Sequence, residues 1–465
     1  MRCCEGFLCQ SFLNKHCATE FASARLFPPL MLTVDKPVIT HDLDNAKELP
    51  SRNRVSVMVV LVVQALNAFS DNFVKMLIIV FAHAVAKDTP LGDNIQVFLG
   101  IIFSLPFVFF APVAGYVSDR HSKQRVIFWM QVAQAISFAG FLVALGLPGV
   151  PLKVGLGSVM LFVLATQEAF LAPAKMGILK DLVGSRRLGP ASGMQQMSMF
   201  AAILTGYAVA GEWFGRQLEA GIDPWHAMKF AMSVATGLAV VQLIGAAFVQ
   251  RTPGHHEMPW RMSLLWAHFG SLRAVFKAPA IGLAALGIVF FWFMCNAVGS
   301  ILVGLCNESF LVEAVSSKMK GIFSLLLGIG VVLGSMLSAV LCRKSIHLGM
   351  VPTAIFALSG TLLAAAIIPA QSGAAYFVMA LIGFAAGSFM VPLYGFVQDR
   401  SAQNERAKVL AGVGLIDCLG GTAANLLVLG LLTARLSSTA QLGLMAATSL
   451  GAAFFMLKVR KYRDH

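Results

Sequence analysis

The sequence predicts an all-α membrane protein of twelve transmembrane helices, arranged as two halves of six. Three observations predict this class: 12% of the residues are charged, 57% are hydrophobic, and the hydrophobic residues form runs long enough to cross a bilayer. An average globular chain has about 25% charged residues, and a bilayer core needs roughly 20 apolar residues per helix. The composition therefore excludes an ordinary soluble domain.

A polar tail, residues 1–54, precedes the first predicted span. It carries mixed charge and several prolines, so we expect a flexible cytoplasmic segment. Its basic residues are scattered and no apolar core precedes a cleavage site, so it does not resemble a cleaved signal peptide. The sequence leaves open whether translation begins at Met1 or at Met31.

Hydropathy then places the twelve spans in order. Each is apolar nearly all round, unlike the narrow apolar stripe of a soluble helix. The predicted spans lie near residues 55–82, 95–117, 126–148, 154–178, 192–214, 228–250, 279–305, 320–342, 350–370, 374–397, 409–432 and 439–457.

The longest break between spans, residues 251–278, divides the chain into bundles 55–250 and 279–457, and a basic tail, 458–465, follows. We predict that this break is a cytoplasmic linker with an amphipathic helix on the membrane surface. The apolar residues that can share one face of that helix are Trp260, Leu264, Leu265, Trp266 and Phe269.

Lys and Arg predict the orientation of a chain whose net charge is +13. One set of alternate loops holds Arg120, Lys123, Arg125, Lys180, Arg186, Arg187, Arg251, Arg261, Arg273, Lys277, Arg343, Lys344, Arg400, Arg406, Lys408, Lys458, Arg460, Lys461 and Arg463. The other set holds only Lys87, Lys153, Arg216, Lys229, Lys318, Lys320 and Arg435. Because basic loops stay in the cytoplasm, we expect the first set and both termini there.

The two halves are related in sequence. FLAPAKMGILKD at 170–181 resembles FMVPLYGFVQD at 389–399, where Pro173 aligns with Pro392 and Asp181 with Asp399 after one gap. Each segment ends the fourth span of its half. Duplicated halves of this kind predict a substrate site between them near the midplane.

The loop after the second span, GYVSDRHSKQRVI at 115–127, resembles the loop motif of the major facilitator superfamily. The matching residues are Gly115, Asp119, Arg120, Lys123 and Arg125, whereas Ser122 replaces the usual glycine. Gly115 allows close helix approach, and Asp119 can pair with Arg at a helix N-terminus of the other half. The resemblance implies the major facilitator fold and a conformational gating loop; the alternative is an ordinary positive-inside loop.

Two further stretches, LNAFSDNFVKMLIIV at 66–80 and FLAPAKMGILKDLV at 170–183, resemble the lysophospholipid transporter family. They are most similar to the transporter portion of proteins fused to an acyltransferase and an acyl-carrier ligase. The resemblance implies alternating-access transport of lysophospholipids such as lysophosphatidylethanolamine across a bacterial inner membrane. An acyltransferase or acyl-carrier ligase is then a possible functional partner.

Polar and charged side chains inside the spans are the candidate substrate-binding residues, because a central charge costs at least about 2.5–3.5 kcal/mol. These residues are Asp71, Asn72, Lys75, Glu168 and Lys175. By resemblance, Asp71 would meet a headgroup ammonium and Lys75 or Lys175 the phosphate. Alternatively, Asp71 and Lys75 neutralise each other within one helix, and Lys175 extends to the cytoplasmic interface.

The seventh span, 282–305, has Cys295 and Asn296 at its centre and no charge. We therefore expect the first half to hold the polar headgroup and an apolar wall of the second half to hold the acyl chain. The candidate wall residues, for which ordinary packing is the alternative, are Phe290, Phe291, Trp292 and Phe293.

Other function classes stay open. Asp71 and Glu168 would suit a proton-coupled exporter of amphiphilic drugs or other small solutes, and the chain could instead be an acyltransferase subunit or an inert scaffold. No nucleophile and base constellation indicates an enzyme, the eight cysteines fit no disulfide or zinc pattern, and no phosphate-binding loop indicates ATP-driven transport. We expect no catalytic residue, metal, cofactor or nucleic-acid partner.

Overall fold

Helices account for nearly all of the chain that the computed structural model describes, which is residues 49–86, 95–184, 187–254, 267–342, 347–401 and 406–462. These residues belong to one unit, Val38–His465. The predicted tail up to residue 48, the predicted interfacial face at 260–266 and several loop cations lie outside the described residues. Those cations are Lys87, Arg186, Arg261, Arg343, Lys344 and Arg463.

The helices follow one another with short connections. They are α1 (Ser51–Ala86), α2 (Ile95–Arg120), α3 (Lys123–Gly146), α4 (Val150–Val183), α5 (Leu188–Glu219), α6 (Pro224–Phe248), α7 (Ala267–Lys277), α8 (Pro279–Ser309), α9 (Glu313–Leu341), α10 (Met350–Ile367), α11 (Gly373–Arg400), α12 (Arg406–Thr433) and α13 (Ser438–Met456). A 3-10 helix, Leu457–Tyr462, follows α13. The short α7 lies in the predicted linker.

Eleven of the described helices are long and apolar enough to cross a membrane. They include every long helix except α5, which corresponds to the predicted fifth span. At 32 residues α5 has sufficient length, but polar residues such as Gln195, Glu212 and Arg216 lower its hydropathy. The chain is thus an all-helical, multi-pass membrane protein.

The helices before and after α7 pack in the same pattern, and we refer to α1–α6 as the first group and α8–α13 as the second group. In the first group α1 packs on α5 and α6, α2 on α4, and α3 on α4 and α6. In the second group α8 packs on α12 and α13, α9 on α11, and α10 on α11 and α13. The groups meet chiefly where α5 packs on α9 and α2 on α12.

The repeated sequence segments occupy equivalent places in these groups. Pro173 and Asp181 lie in the last part of α4, and Pro392 and Asp399 lie in the last part of α11. Each of these two helices packs on the second and third long helices of its own group. The segments therefore lie at corresponding positions of the two groups.

We call the end of the bundle at which α2 gives way to α3 the basic end, because Arg120 and Lys123 lie there. Asn53 Nδ2 donates to the Leu182 carbonyl at 2.8 Å, and Lys123 Nζ lies 2.8 Å from Asp181 Oδ2, so α1 begins and α4 ends at this same end. The opposite end carries the last turn of α1 and the first turns of α9. Lys320 was counted among the loop cations, and that expectation is wrong. It is a fully buried residue of α9.

Glycines bring the helix axes close together. A Cβ on Gly383 or Gly387 of α11 would overlap the backbone carbonyl of Leu327 or Val331 on α9. Across the group boundary, a Cβ on Gly211 of α5 would lie 2.7 Å from the Ser317 carbonyl of α9. Because association of helices in lipid depends on close packing and small residues, these glycines set how closely the helices approach.

We expect Gly→Ala substitutions at two positions of α11 to have opposite effects on stability. Gly387→Ala should destabilise the protein by about 1–3 kcal/mol, because its methyl group overlaps α9. Gly395→Ala should stabilise it by about 0.5–1 kcal/mol, because no atom lies within 4 Å of its Cβ position. Thermal unfolding of the two detergent-purified variants measures the difference, and an equal rise in Tm for both would contradict the packing described.

Candidate functional site

A cavity of about 800 Å³ lies between the two groups of helices. Its wall reaches from Gly115, Ser271 and Ala411, near the basic end, to Lys75 and Gly421, deeper in the bundle. Apolar side chains of the first group provide much of the surface. They include Ile79, Leu99, Phe103 and Phe107. A cavity of this kind can hold a molecule with a long apolar part and a few charged groups.

Of the five predicted binding residues, Lys75 is the one that lines the cavity. Its ammonium lies 4.2 Å from the centroid of the Phe103 ring, an attractive cation–π contact. Among the residues that the structure describes, no carboxylate lies within ion-pair distance of this ammonium. The ammonium is available to an anionic group that enters the cavity.

Asp71 faces the interior of the first group rather than the cavity. Its side chain is 5% exposed, Oδ1 accepts from Gln134 Nε2 at 2.8 Å, and Oδ2 accepts from Asn67 Nδ2 at 2.8 Å. Gln131 Nε2 donates to Asn67 Oδ1 at 2.8 Å. These bonds join α1 to α3, and a direct ion pair with Lys75 is not among the contacts of Asp71 in the described residues.

Glu168 and Lys175 form a second part of the same network. Lys175 Nζ lies 2.7 Å from Glu168 Oε1, and Asn67 Nδ2 donates to Glu168 Oε2 at 3.3 Å. The Lys175 side chain therefore runs back along α4 toward its N-terminus, the direction in which helical side chains point. This geometry opposes the alternative in which Lys175 extends to the interface at the basic end.

The network continues to α5 through side-chain amides. Gln64 Nε2 donates to the Lys175 carbonyl at 3.2 Å, and Gln195 Nε2 donates to the same carbonyl at 3.0 Å. Asn72 takes no part, because its Nδ2 donates to the Ala68 carbonyl of its own helix at 2.7 Å. We call the set that joins α1, α3, α4 and α5 the buried network: Gln64, Asn67, Asp71, Gln131, Gln134, Glu168, Lys175 and Gln195.

The predicted gating loop connects several parts of the basic end. Lys123 Nζ lies 2.8 Å from Asp181 Oδ2 at the end of α4, and the Lys123 amide donates to Thr252 Oγ1 at 3.0 Å, at the start of the linker. Gly177 makes room for this arrangement, because a Cβ there would lie 2.6 Å from Lys123 Cε. The loop is thus fastened to α4 and to the linker.

The other residues of the loop motif have different surroundings. Gly115 lines the cavity, and Arg120 donates to the hydroxyl of Tyr116 on its own helix. Asp119 and Arg125 are exposed. A pairing of Asp119 with the second group is not among the contacts of the described residues, so its gating role stays a prediction.

The second-group wall differs from the expected apolar surface. Of the four aromatic candidates only Trp292 lines the cavity; Phe291 is buried, with its ring centroid 5.8 Å from that of Phe389. Next to Trp292 lie Asn296, Tyr394 and Asp417. The second-group wall is therefore not purely apolar, and its expected part in holding the acyl chain stays a prediction. In the sequence, the acidic Asp417 within an apolar run is the feature that indicates a polar group on this wall.

Contacts between the two groups join their helices at the opposite end. His83 Nε2 lies 3.3 Å from Glu313 Oε2, and the His83 Nδ1 and Asn307 Nδ2 atoms are 3.3 Å apart. Nearby, Lys318 Nζ lies 2.7 Å from Glu219 Oε2. The cavity wall reaches the basic end, whereas these pairs link α1 and α5 to α8 and α9 at the other.

The chain matches a known protein family and several named transporters. The model of the Major Facilitator Superfamily matches residues 60–425. The lysophospholipid transporter LplT of Photorhabdus laumondii is 26% identical over 389 residues, which cover 80% of this chain and 86% of that protein. The lysophospholipid transporter LplT of Salmonella paratyphi B is 29% identical over 393 residues, with the same coverage of 80% and 86%.

Solved structures share the fold at low sequence identity. A POT family transporter in complex with 5-aminolevulinic acid is 11% identical and superposes with a TM-score of 0.67, covering 88% of this chain and 96% of that one. The nucleoside transporter NupG is 13% identical and superposes with a TM-score of 0.63, covering 87% of this chain and 99% of that one. Because the sequence identities are this low, the similarity shows a shared fold alone.

The buried network predicts unequal effects of two neutralising substitutions. Glu168→Gln removes the charge partner of the buried Lys175 ammonium, a change that costs about 3–5 kcal/mol. Asp71→Asn should cost less than about 1 kcal/mol, because Gln134 Oε1 has no hydrogen-bond partner in the described residues, so the Gln134 amide can turn round and accept from the new amide. Thermal unfolding measures both variants.

The control is the double variant Glu168→Gln with Lys175→Met, which removes both charges and should recover much of the lost stability. Equal losses for Glu168→Gln and Asp71→Asn, or no recovery in the double variant, would argue against the hydrogen bonds described.

Proposed function

This chain belongs to the Major Facilitator Superfamily, and we propose that it carries lysophospholipids such as lysophosphatidylethanolamine across a bacterial inner membrane by alternating access. The observation that carries this proposal is the cavity between the two groups, because it combines apolar and aromatic walls with the charges of Lys75 and Asp417. A lysophospholipid has the matching chemistry of one acyl chain and a phosphate headgroup. The names of the relatives agree with this substrate.

We further propose that α5 crosses the membrane as the twelfth span. It packs between α1 and α9, where a Cβ on Gly206 would lie 2.6 Å from the Phe69 carbonyl and Gln195 is 1% exposed. A helix that is enclosed by neighbouring helices presents less surface to lipid, so it needs less hydropathy than a peripheral one. Two six-helix halves with both termini on one side follow from this assignment.

The basic end is proposed to face the cytoplasm, as the excess of Lys and Arg there favours. The cavity wall reaches this end, whereas contacts such as Lys318 with Glu219 join the groups at the other end. This conformation then corresponds to the inward-facing state. Opening of the opposite end requires that the contacts of His83 and Lys318 across the groups break while α5 and α9 rotate past each other.

The candidate binding residues take different parts in this proposal. Lys75 would bind the phosphate, because it is the one that lines the cavity. Asp71, Glu168 and Lys175 would position α1 relative to α3 and α4, so that Lys75 keeps its place when the first group moves as a body. Asn72 would contribute a polar surface of α1 near this network.

The gating loop would transmit that movement at the basic end. Lys123 and Asp181 hold α3 to α4, while Gly115 lies in the cavity wall. Asp119 and Arg125 are exposed and would be free to contact the second group when the basic end closes, with Arg120 beside them. A lysophospholipid released on this side would be re-acylated by an acyltransferase or an acyl-carrier ligase, the proposed functional partner.

Replacement of Lys75 tests the binding role. Lys75→Gln should lower uptake of radiolabelled lysophosphatidylethanolamine into proteoliposomes at least about tenfold, equivalent to ~1.4 kcal/mol of lost interaction. Lys153→Gln is the matched control, because Lys153 also lies over an aromatic ring, 3.9 Å from the Trp225 centroid, but is not part of the cavity wall. Its uptake should equal that of the unmodified protein.

Equal uptake by the Lys75 and Lys153 variants would remove Lys75 from the binding site.

A parallel uptake measurement with a protonophore distinguishes lysophospholipid transport from proton-coupled export. Loss of uptake with the protonophore, together with efflux of amphiphilic dyes, would favour the proton-coupled exporter over the lysophospholipid transporter.

Cross-linking across the opposite end tests alternating access. A short bifunctional thiol reagent should join Glu219→Cys to Lys318→Cys, hold that end closed and abolish uptake, because the two side chains are in contact across α5 and α9. The pair Glu212→Cys with Arg216→Cys is the control, because both residues lie on α5 in an exposed pair. Retained uptake after complete cross-linking of the first pair would refute the proposed opening.

A further inference from the structure

The second-group wall of the cavity holds a carboxylate to which the proposed mechanism assigns no binding partner. Asp417 of α12 lines the cavity and is 9% exposed. Its Oδ2 accepts from the Tyr394 hydroxyl at 3.0 Å. Its Oδ1 is buried and has no hydrogen-bond partner among the described residues. The carboxylate thus has unused capacity to accept hydrogen bonds at the wall of a binding cavity.

The hydrogen bonding of Asp417 contrasts with that of Asp71. Asp71 has both oxygens occupied by amide donors, as a buried acid needs when it serves packing. Asp417 has one donor, and no ion pair with a described residue includes it. A half-satisfied buried carboxylate costs stability, and a hydrogen-bond donor of a ligand in the cavity would offset that cost.

The neighbouring aromatic side chains indicate the chemical class of that group. Trp292 and Tyr394 line the cavity beside Asp417, and Asn296 is on the same face of α8 as Trp292, to whose carbonyl its Nδ2 donates at 2.9 Å. Aromatic faces attract ammonium groups, and a carboxylate accepts their hydrogen bonds. The combination of an acid with a Trp and a Tyr is therefore suited to an organic cation.

The opposite wall supplies the complementary charge. Lys75 comes from α1 of the first group, and Asp417 comes from α12 of the second group, so one cavity presents a positive and a negative side chain from facing groups. A zwitterionic headgroup carries a phosphate and an ammonium on one short chain. Such a headgroup can contact both side chains, whereas a purely anionic headgroup can use Lys75 alone.

We propose that Asp417, with Trp292 and Tyr394, binds the ammonium of a zwitterionic lysophospholipid and so sets the headgroup preference of this transporter. The inference rests on the proposed function and deepens it. A headgroup that bridges Lys75 and Asp417 also links the two groups of helices, and it thereby favours conformations in which they are close together.

The test compares two lipids in one assay with the full-length protein in proteoliposomes. The lipids are radiolabelled lysophosphatidylethanolamine, which has an ammonium, and lysophosphatidylglycerol, which has none. Asp417→Asn should lower uptake of the first about tenfold and leave uptake of the second within about twofold of the unmodified protein. Asp399→Asn, an exposed acid at the end of α11, is the matched control and should change neither.

Asp417→Glu guards against a folding defect, because it keeps the negative charge and should restore the preference for the ethanolamine lipid. Equal loss of both lipids by Asp417→Asn, or unchanged uptake of the ethanolamine lipid, would overturn this inference and leave the proposed function intact. Failure of the unmodified protein to move either lipid would overturn the proposed function and the inference together.

Discussion

Partnering of charges inside an apolar bundle is the constraint on which the rest of this structure depends. A charge near the bilayer centre costs about 2.5–3.5 kcal/mol even on lenient scales, so each one needs a partner or a polar cavity. The buried network meets this requirement for Asp71, Glu168 and Lys175 with amides and an ion pair. Lys75 and Asp417 are placed at the cavity wall instead.

This division separates structural charges from charges available to a substrate. The hydrogen bonds of the buried network cross from α1 to α3, α4 and α5, so they hold much of the first group together as one body. Glycines do the same in the second group, where α9 and α11 approach until a Cβ on Gly387 would overlap the Val331 carbonyl. Two bodies that are each tightly packed can move against each other without losing their own contacts.

The boundary between the two bodies is where we propose that the substrate binds. At the opposite end the close approach of Gly211 to α9 and the contacts of the buried His83 are accompanied by the exposed ion pair of Lys318 with Glu219. Exposed pairs of this kind contribute little stability, so they can form and break during a transport cycle. The cavity lies on the same boundary, and a ligand that contacts both bodies biases their relative position.

The sequence alone determined the membrane class, the order of the helices, the internal repeat and the superfamily, because each of these is encoded in local composition or in a contiguous motif. It also identified Asp71, Lys75, Glu168 and Lys175 as charged side chains inside the predicted spans. The sequence could not show which side chains hydrogen-bond to one another, because partners such as Asp71 and Gln134 are 63 residues apart in the chain. Only the tertiary structure placed Lys75 and Asp417 on one cavity and buried the others, since a helix turned by a fraction of a turn exchanges its cavity face for its packed face.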